Sequence, residues 1–369
     1  MTASEDNTVT LGRLPILFAG GGPISRHITG EIAAALPRSK QPAGLAFRFV
    51  ERLKGSQNAV SLTPLRSAGV QLLKTNNCLT FEIEFRPMFP RWLPGVDLGV
   101  KTIDMNYLSL DALRAKNFLY KLFNWAAQIA QINLHQSFMH ASAVTNGERT
   151  LAVLGKGGVG KTTAMLKLCL EGGWRYLSDD LAAIDENGVI YRAPARLQIY
   201  AYNTQNETAL EQRLLNERNA LDKLHWRVRR KMLGANKVRR RISAEELFGL
   251  QGVADKARLT DLIFLERRDA PGVEIDDIGH IQAAARMAPI VMDEIKTYRE
   301  SYAVAEATAP GLLPDPETVQ DATAAILKMA FSQASAYLIK AGPDTQPDDL
   351  ARAMRGIAER PRSVIRAAS

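Results

Sequence analysis

Residues 155 to 162 read Gly-Lys-Gly-Gly-Val-Gly-Lys-Thr and match the phosphate-loop pattern in full. Glycines let successive backbone N–H groups turn toward a phosphate without a Cβ in the way. Lys161 is placed to reach the outer phosphates as a catalytic cation, and the Thr162 hydroxyl to complete a Mg²⁺ shell. We therefore expect ATP and Mg²⁺ to bind here. The residues predicted to contact the nucleotide are Gly155, Lys156, Gly157, Gly158, Val159, Gly160, Lys161, Thr162 and Thr163.

The segments on either side of this loop have the context that it requires. An apolar run of strand length, residues 150–154, precedes the loop, and a helix-like segment, residues 163–170, follows it. The start of that helix adds unpaired amide donors and the positive end of a helix dipole. The pattern therefore predicts a strand, a phosphate loop and a helix in succession.

Two adjacent acids, Asp179 and Asp180, follow the next predicted strand, residues 174–177. Neighbouring side chains at a strand end point in opposite directions, so one carboxylate can serve a metal while the other faces an acceptor. Phosphoryl transfer needs positioning, charge neutralisation and a base within reach of the attacking hydroxyl. A turn or helix cap remains the alternative interpretation of each acid.

The stretch from His140 to about residue 195 resembles the catalytic domain of HPr kinase/phosphorylase and its related P-loop kinases. The shared features are a His followed by small residues, the phosphate loop, and a strand that ends in Ser-Asp-Asp. The resemblance implies a mixed α/β sheet of the HPr kinase and phosphoenolpyruvate carboxykinase-like type. It also implies that Asp179 is the general base, that Asp180 lies near the metal with Thr162, and that His140 lies beside the terminal phosphates. A buried structural histidine is the alternative for His140.

The sequence departs from that family in two places. The counterpart of its second signature is Leu197-Gln198-Ile199-Tyr200, which lacks glycine and has Gln198 where an acid would stand. The N-terminal hundred residues do not match the family's N-terminal domain. We therefore expect a serine kinase whose acceptor is a peptide, protein or small molecule other than HPr, with the reverse phosphorylase reaction in doubt.

Other functions also fit parts of the sequence. The string KGGVGKTT matches the phosphate loop of partition-type and septum-site-type ATPases, in which the lysine equivalent to Lys156 reaches across a dimer. A regulatory nucleotide-dependent ATPase is therefore an alternative, and a carboxykinase-like or nucleotidyl-transfer enzyme is another. The acceptor, the choice of ATP over GTP or pyrophosphate, and the oligomeric state stay open, although the resemblance suggests a homo-oligomer.

Charge points to anionic partners. The net charge is +8, and residues 225–241 hold eight Lys or Arg and no acid. A solvated helix or mobile loop is one interpretation of this segment, and a clamp for an acidic substrate or phosphate is another. No named nucleic-acid motif is present, so nucleic acid is not the expected partner. The residues proposed for the substrate clamp are Arg227, Arg229, Arg230, Arg239 and Arg240.

Pattern and composition predict two α/β domains, a smaller N-terminal one of unknown role over 1–110 and the catalytic one over 111–369. Within the second, residues 110–135, most of 205–250, 314–331 and 348–359 favour helix, while 259–266 and 336–340 favour strand. No run of about 20 apolar residues and no secretory signal is seen. The two cysteines lack metal-ligand spacing, so a cytoplasmic protein without a zinc site is expected.

Overall fold

The computed structural model shows a mixed α/β protein with several sheets. The structure describes residues 7–20, 29, 32–33, 36–54, 59–65, 68–75, 78–85, 110–171, 173–192, 197–205, 207–216, 218 and 220–361. The end of the predicted N-terminal domain, residues 86–109, lies outside the described residues.

The N-terminal part of the chain forms one mixed six-stranded sheet. Its strands are β1 Asn7–Leu11, β2 Leu14–Gly20, β3 Leu45–Phe49, β4 Val60–Leu65, β5 Ala68–Thr75 and β6 Cys78–Phe85. They lie in the order β1-β2-β3-β6-β5-β4, with β2, β3 and β6 parallel. Alternation along β6 buries Phe81 and Ile83, as the period-two pattern predicts.

Helix α1, Leu110–Ile132, joins this sheet to the rest of the molecule. Its buried residues, which include Leu122, Trp125 and Ile129, recur at the three- and four-residue spacing of one helix face. The ring of Trp125 packs edge-on against Phe81 of β6 and also contacts Tyr298. Buried side chains of both parts of the chain thus belong to one continuous apolar cluster. The domain boundary near residue 110 therefore stays a prediction.

Twelve further strands and eight further helices follow α1 in the described part of the chain. The strands are β7 Gln136–Met139, β8 Ala141–Thr145, β9 Thr150–Leu154, β10 Arg175–Ser178, β11 Ala182–Asp185, β12 Val189–Tyr191, β13 Leu197–Tyr200, β14 Arg239–Ile242, β15 Lys256–Arg258, β16 Asp261–Arg267, β17 Val273–Ile278 and β18 Ser335–Ala341. The helices are α2 Lys161–Leu170, α3 Thr208–Leu215, α4 Ala220–Leu233, α5 Ala244–Phe248, α6 His280–Glu294, α7 Thr297–Thr308, α8 Pro316–Phe331 and α9 Pro347–Glu359.

A second mixed six-stranded sheet, in the order β10-β8-β9-β16-β18-β17, carries the phosphate loop. Its three central strands, β9, β16 and β18, run parallel, while β8, β10 and β17 are antiparallel to their neighbours. Parallel strands end at the same edge, so the loops that follow β9, β16 and β18 lie together. The expected mixed α/β sheet, with a loop joining strand β9 to helix α2, is confirmed, and its family-specific type stays a prediction.

Two smaller sheets complete the β structure. One has the order β15-β12-β11-β7, in which β11 and β12 form a hairpin, as an Asn187-Gly188 turn between two apolar runs predicts. The other is the antiparallel pair of β13 and β14. The prediction that residues 205–250 are largely helical is right for α3, α4 and α5 but wrong for residues 239–242. There, three arginines and an isoleucine pair with β13 as a strand.

Helices α6 and α7 were not predicted from the sequence. The buried residues of α6 include Ala284, Met287 and Val291, and the helix packs along α8. Among the described residues, no helix combines the length and apolar character needed to cross a bilayer.

Candidate phosphoryl-transfer site

The phosphate loop has the open backbone that its glycines allow. Gly155, Gly158 and Gly160 have positive φ of 140°, 83° and 113°. A Cβ on Gly155 would lie 2.4 Å from the Leu265 carbonyl oxygen, so this position accepts only glycine. A Cβ on Gly158 would meet no atom within 4 Å, so that glycine faces open space. The loop is thus packed against β16 at its start and open where a phosphate would lie.

Lys161 is held inside this loop. Its Nζ donates to the backbone oxygens of Gly155 at 2.7 Å and Lys156 at 3.0 Å. Burial lowers the pKa of Lys161, and the carboxylates of Asp180, Asp179 and Glu294 oppose that shift. The ammonium group therefore lies among negative charges and loop carbonyls, at the position where the loop would enclose a phosphate. The side chain of Lys156 is exposed.

Asp179 links the acidic strand end to the phosphate loop. The Thr162 hydroxyl donates to its two carboxylate oxygens at 3.0 and 3.1 Å, and the Ser142 hydroxyl donates to Oδ1. Strand β10 pairs with β8, so Ser142 and Asp179 come from neighbouring strands of one sheet. Burial raises the pKa of Asp179 to about 6, with Asp180 adding to the shift and the two hydroxyls opposing it. A carboxylate with such a pKa is suited to accept a proton near neutrality.

Asp180 has a different environment from its neighbour. Its backbone is left-handed, with φ of 69°, and its side chain is 61% exposed. A non-glycine residue in this region is uncommon, although Asp tolerates it better than most. Both carboxylates line the same cleft but differ in exposure, because that of Asp179 is buried against two hydroxyls and that of Asp180 is open to solvent. The two predicted metal ligands are Thr162 and Asp180. The Thr162 hydroxyl bonds to Asp179 and not to Asp180.

His140 lies between the four-stranded sheet and the six-stranded sheet, between β7 and β8. Its Nδ1 is 3.2 Å from Glu294 Oε1 and 3.8 Å from Asp180 Oδ1, although among the described residues no acceptor meets it at hydrogen-bond geometry. The proximity of His140 holds the pKa of Glu294 below its usual range, against the effect of burial. His140 thus joins the acidic pair to the C-terminal end of α6.

These groups line a common cleft of about 620 Å³, which we call the phosphate cleft. Its walls bring together the predicted residues His140, Lys161, Thr162, Asp179 and Asp180. The cleft also includes residues that the sequence did not identify as functional, and these are Gln198, Tyr200, Tyr202, Pro289, Ile290, Asp293 and Glu294. The volume is sufficient for a phosphate chain together with a small acceptor group.

A second cleft of about 680 Å³, which we call the outer cleft, lies on the other side of the phosphate loop. Gly158, Gly160, Thr163 and Tyr202 line both clefts. The remaining walls of the outer cleft combine apolar side chains, neutral hydrogen-bonding groups and four charged side chains. They are formed by Leu166, Lys167, Leu170, Asn203, Gln205, Glu207, Leu210, Asn236, Arg267, Thr345, Gln346, Pro347, Asp348 and Leu350.

The five arginines predicted to clamp a substrate do not lie together on one surface. Arg239 lines the phosphate cleft, where it donates to Gln198 and to the Tyr200 hydroxyl. Arg230 pairs with Glu211 at 3.2 Å on helix α3. Arg227 is exposed and Arg229 is half-buried on helix α4. Only Arg239 among them lines the phosphate cleft.

Arg240 requires a correction, because its side chain is directed into the protein. Its guanidinium donates to both carboxylate oxygens of Asp222, at 2.6 and 2.7 Å, and lies over the Trp226 ring. Side chains alternate along a strand, so Arg239 and Arg240 on β14 face opposite sides. Arg240 therefore cannot extend the predicted basic clamp into the cleft, because residues 239–242 form a strand where the sequence favours helix.

The oxygen groups near Thr162 fit the preference of Mg²⁺ for hard ligands. Thr162 supplies a hydroxyl, and Asp179 and Asp180 supply carboxylates on the same cleft. Within the described ranges, no cluster of three or more His, Cys, Asp or Glu side chains could hold a metal by itself. Phosphate oxygens are the usual remaining ligands of Mg²⁺ at such loops. The site therefore fits a metal that arrives with a nucleotide.

Two site residues, Ser142 and Glu294, could not be identified as functional from the sequence. Glu294 ends a helix more than 100 positions after Asp179, outside every motif. Ser142 was visible only as one of the small residues after His140. The contact between Ser142 and Asp179 depends on the pairing of β8 with β10.

No family model matches the chain, and no curated protein matches it. Among solved structures, the Hpr(Ser) kinase/phosphatase from Coxiella burnetii is similar over 61% of this chain and 99% of its own, with 12% sequence identity and a TM-score of 0.28. These values indicate only a distant structural likeness.

Proposed function

We propose that this chain is an ATP- and Mg²⁺-dependent phosphotransferase that moves the γ-phosphate to a hydroxyl group, with a serine other than that of HPr as the expected acceptor. One observation carries the proposal. The buried carboxylate of Asp179 accepts a hydrogen bond from Thr162 of the phosphate loop and faces a cleft of about 620 Å³. A base beside the phosphates and space beside the base are what phosphoryl transfer to an alcohol requires.

The nucleoside and the acceptor would occupy different clefts, the nucleoside the outer cleft and the acceptor the phosphate cleft. In α/β proteins a nucleotide binds beyond the carboxyl ends of the parallel strands. Arg267, the last residue of β16, and residues 345–347, which follow β18, line the outer cleft. The outer cleft has apolar side chains and side-chain amides, which suit a nucleoside base with flat apolar faces and polar edges. Among its charged groups, Lys167 is paired with Glu207 and Asp348. The phosphates would then lie on the loop, and the acceptor would enter the phosphate cleft near Asp180.

The transfer step follows from this arrangement. The acceptor oxygen forms a bond to the γ-phosphorus while the bond between that phosphorus and the β,γ-bridging oxygen breaks. The hydroxyl proton passes to Asp179, and ADP leaves with the bridging electron pair. Lys161 and the loop amides stabilise the charge on the phosphate oxygens, since fixed donors in a closed site need little reorganisation. Bound Mg²⁺ supplies further charge neutralisation, with Thr162 and a carboxylate of the acidic pair as the residues that would hold it.

His140 and Glu294 complete the positioning of the acidic pair. His140 lies within 4 Å of both Glu294 and Asp180, so it can orient Asp180 toward the cleft. Arg239, which also lines the phosphate cleft, is fixed by hydrogen bonds to Gln198 and Tyr200. A planar guanidinium held in this way suits recognition of a carboxylate or phosphate on the acceptor.

Incubation of the full chain with [γ-³²P]ATP, Mg²⁺ and separate pools of peptides, proteins and small molecules tests the proposal. We expect acid-stable label on a serine, or on a small-molecule alcohol, and no label with Asp179→Asn. Mass spectrometry then identifies the acceptor.

Release of free phosphate alone, at the same rate with and without every pool, would contradict the transferase. That result would favour the regulatory ATPase instead, for which the exposed Lys156 is the relevant residue. The variant Lys156→Ala separates the two, because a lysine that reaches across a dimer matters to hydrolysis only when the protein self-associates. Loss of hydrolysis together with loss of the dimer would support the ATPase.

A further inference from the structure

Helix α4, Ala220–Leu233, has one face fixed to the protein. Trp226 is 2% exposed, and its indole N–H donates to Glu211 at 3.2 Å. Asp222 is bound by the buried guanidinium of Arg240. These contacts come from α3 and β14, so the helix is held by two different elements. The opposite face is therefore presented outward in a defined orientation.

That outward face is apolar. Leu221, Leu224, Val228 and Met232 are 70%, 56%, 44% and 77% exposed. Their spacing of three, four and four residues places them in one stripe along the helix, which we call the α4 stripe. Single exposed apolar residues are ordinary on a protein surface, whereas a contiguous stripe marks an interaction site.

Basic side chains border the α4 stripe. Lys223, Arg227 and Lys231 follow one another at four-residue spacing along one side of it, and Arg227 and Lys231 are exposed. A surface with an apolar centre and a basic edge is complementary to a helix with an apolar face and acidic flanks. The electrostatic part of such an interface would weaken as salt is added.

The charge and composition of this surface separate the possible occupants. A symmetric second copy would place basic edge against basic edge, which is repulsive. The apolar face of a membrane-surface helix carries Trp and Phe beside Leu, whereas the α4 stripe has no aromatic residue and Trp226 faces the core. Leucine and methionine are instead suited to adaptable binding of a partner helix.

The position of the stripe in the chain connects it to the candidate site. Helix α4 is followed by a short 3₁₀ turn, Ala235–Lys237, and then by β14. Asn236 of that turn lines the outer cleft, and Arg239 of β14 lines the phosphate cleft. A partner that lies on α4 would therefore be adjacent to both clefts.

We propose that the α4 stripe docks an acidic amphipathic helix of a protein acceptor, so that the acceptor's serine reaches Asp179. The second part of this proposal, delivery of the serine to Asp179, rests on the proposed function. The docking itself depends only on the apolar stripe and its basic edge. The substrate class is thus a protein with an acidic helix beside its phosphorylated serine, in contrast to a free small molecule.

The test uses the full chain and an array of synthetic helical peptides that combine an apolar face, Asp or Glu flanks and a neighbouring serine. Binding is measured by fluorescence anisotropy for the wild type, for Leu224→Ser/Met232→Ser and for Arg227→Glu/Lys231→Glu. The matched control is Lys328→Glu/Met329→Ser, which changes an exposed lysine and an exposed methionine on α8. Nucleotide affinity and thermal unfolding verify that each variant is folded.

We expect each α4 variant to weaken peptide binding by about tenfold or more, as loss of central interface residues does, with the control unchanged. Equal binding by all variants, or no binding of any acidic peptide to the wild type, would overturn the docking proposal. Anionic vesicles that bind the wild type and not the stripe variants would assign the surface to a membrane instead. Self-association that only the stripe variants lose would assign it to a second copy.

Phosphate transfer to bound peptides separates failure of docking from failure of the proposed function. If phosphate is transferred to serine with the same KM in the wild type and the stripe variants, the kinase proposal is supported and the docking proposal is contradicted. Peptide binding that depends on the stripe, with no transfer to any acceptor, would leave a docking surface on a protein that is not a kinase.

Discussion

The hydroxyl of Thr162 lies 3.0 and 3.1 Å from the two carboxylate oxygens of Asp179, and this contact joins the phosphate loop to the end of strand β10. The Ser142 hydroxyl holds the same carboxylate from the neighbouring strand. Asp179 is therefore fixed relative to the position where a terminal phosphate would lie. Asp180, the next residue, turns away into the phosphate cleft.

Substitution Lys161→Ala is expected to abolish nucleotide-dependent activity, with a loss of at least about 100-fold, as for other fixed donors to a reacting anion. The ammonium group is buried within the loop, where the backbone oxygens of Gly155 and Lys156 fix its position. Calorimetric titration with ATP and Mg²⁺ and a labelled-phosphate assay measure binding and turnover. Full turnover by Lys161→Ala would show that the loop does not act on the transferred phosphate.

The variant Asp179→Asn is expected to keep nucleotide affinity within a few-fold and to lower phosphoryl transfer by about 100- to 10,000-fold, which is the usual contribution of a general base. The amide can still accept from Thr162, so the loop is preserved. The measurement is kcat for transfer, together with the nucleotide Kd. A loss of nucleotide or Mg²⁺ binding, with turnover restored by excess of either, would instead assign Asp179 to the metal.

The matched variant Asp180→Asn distinguishes the roles of the two acids. If Asp180 serves the metal, its loss raises the Mg²⁺ concentration for half-maximal activity more than it lowers kcat at saturating Mg²⁺. A kcat loss as large as that of Asp179→Asn, with unchanged Mg²⁺ dependence, would indicate that Asp180 is the general base and Asp179 the metal ligand.

Arg239 and Arg240 are expected to respond differently to the same substitution. Arg239→Gln should raise the KM of an acidic acceptor by about tenfold and leave the KM of ATP unchanged, because one charge-assisted contact is worth about 1.5 kcal/mol or more. Arg240→Gln should leave both constants nearly unchanged and lower the free energy of unfolding. Steady-state kinetics and urea unfolding of the two variants check this. A change in acceptor KM from Arg240→Gln alone would contradict the placement of the two side chains.

The buried pair of Asp222 and Arg240 should make part of the stability depend on pH. Burial alone would raise the pKa of Asp222, but the bond and charge of Arg240 hold that pKa below its ordinary value of 3.8. The unfolded chain therefore binds this proton more tightly than the folded protein does. The stabilising contribution is present above the unfolded pKa and is lost as pH falls through the folded pKa.

Asp222→Asn leaves Arg240 buried without its countercharge, so we expect a loss of about 3 kcal/mol at pH 7. Urea unfolding of the wild type and the variant at pH 7, 5 and 3 is the measurement. The difference between them should be full at pH 7 and 5 and smaller at pH 3. A difference that does not change over this range would show that folding does not shift the pKa of Asp222.

Much of the candidate site could be predicted from local sequence. The phosphate loop, the strand before it and the helix after it are contiguous, so glycine positions and hydrophobic period suffice to locate them. The same holds for the strand that ends in Asp179 and Asp180 and for the β11–β12 hairpin. The resemblance to HPr kinase/phosphorylase added expected roles for these residues, and those roles remain proposals.

The segment around residues 225–241 shows why the remainder could not be predicted. Its charge alone favours a solvated helix or a basic clamp, yet the strand β14 forms because β13 lies beside it as a partner. Alternation on that strand then sends Arg239 to the cleft and Arg240 to Asp222. A strand of three arginines has weak intrinsic preference, so tertiary pairing decides its conformation.

The sequence by itself determined the phosphate loop, the acidic pair beyond it and the mixed α/β character, because each depends on residues that are close together in the chain. The tertiary structure alone decided that Thr162 bonds to Asp179 instead of Asp180, and that Ser142 and Glu294 join the site. It also decided that one face of α4 is left uncovered. Those outcomes depend on contacts between distant segments, whose geometry is set by sheet pairing and core packing and leaves no local pattern.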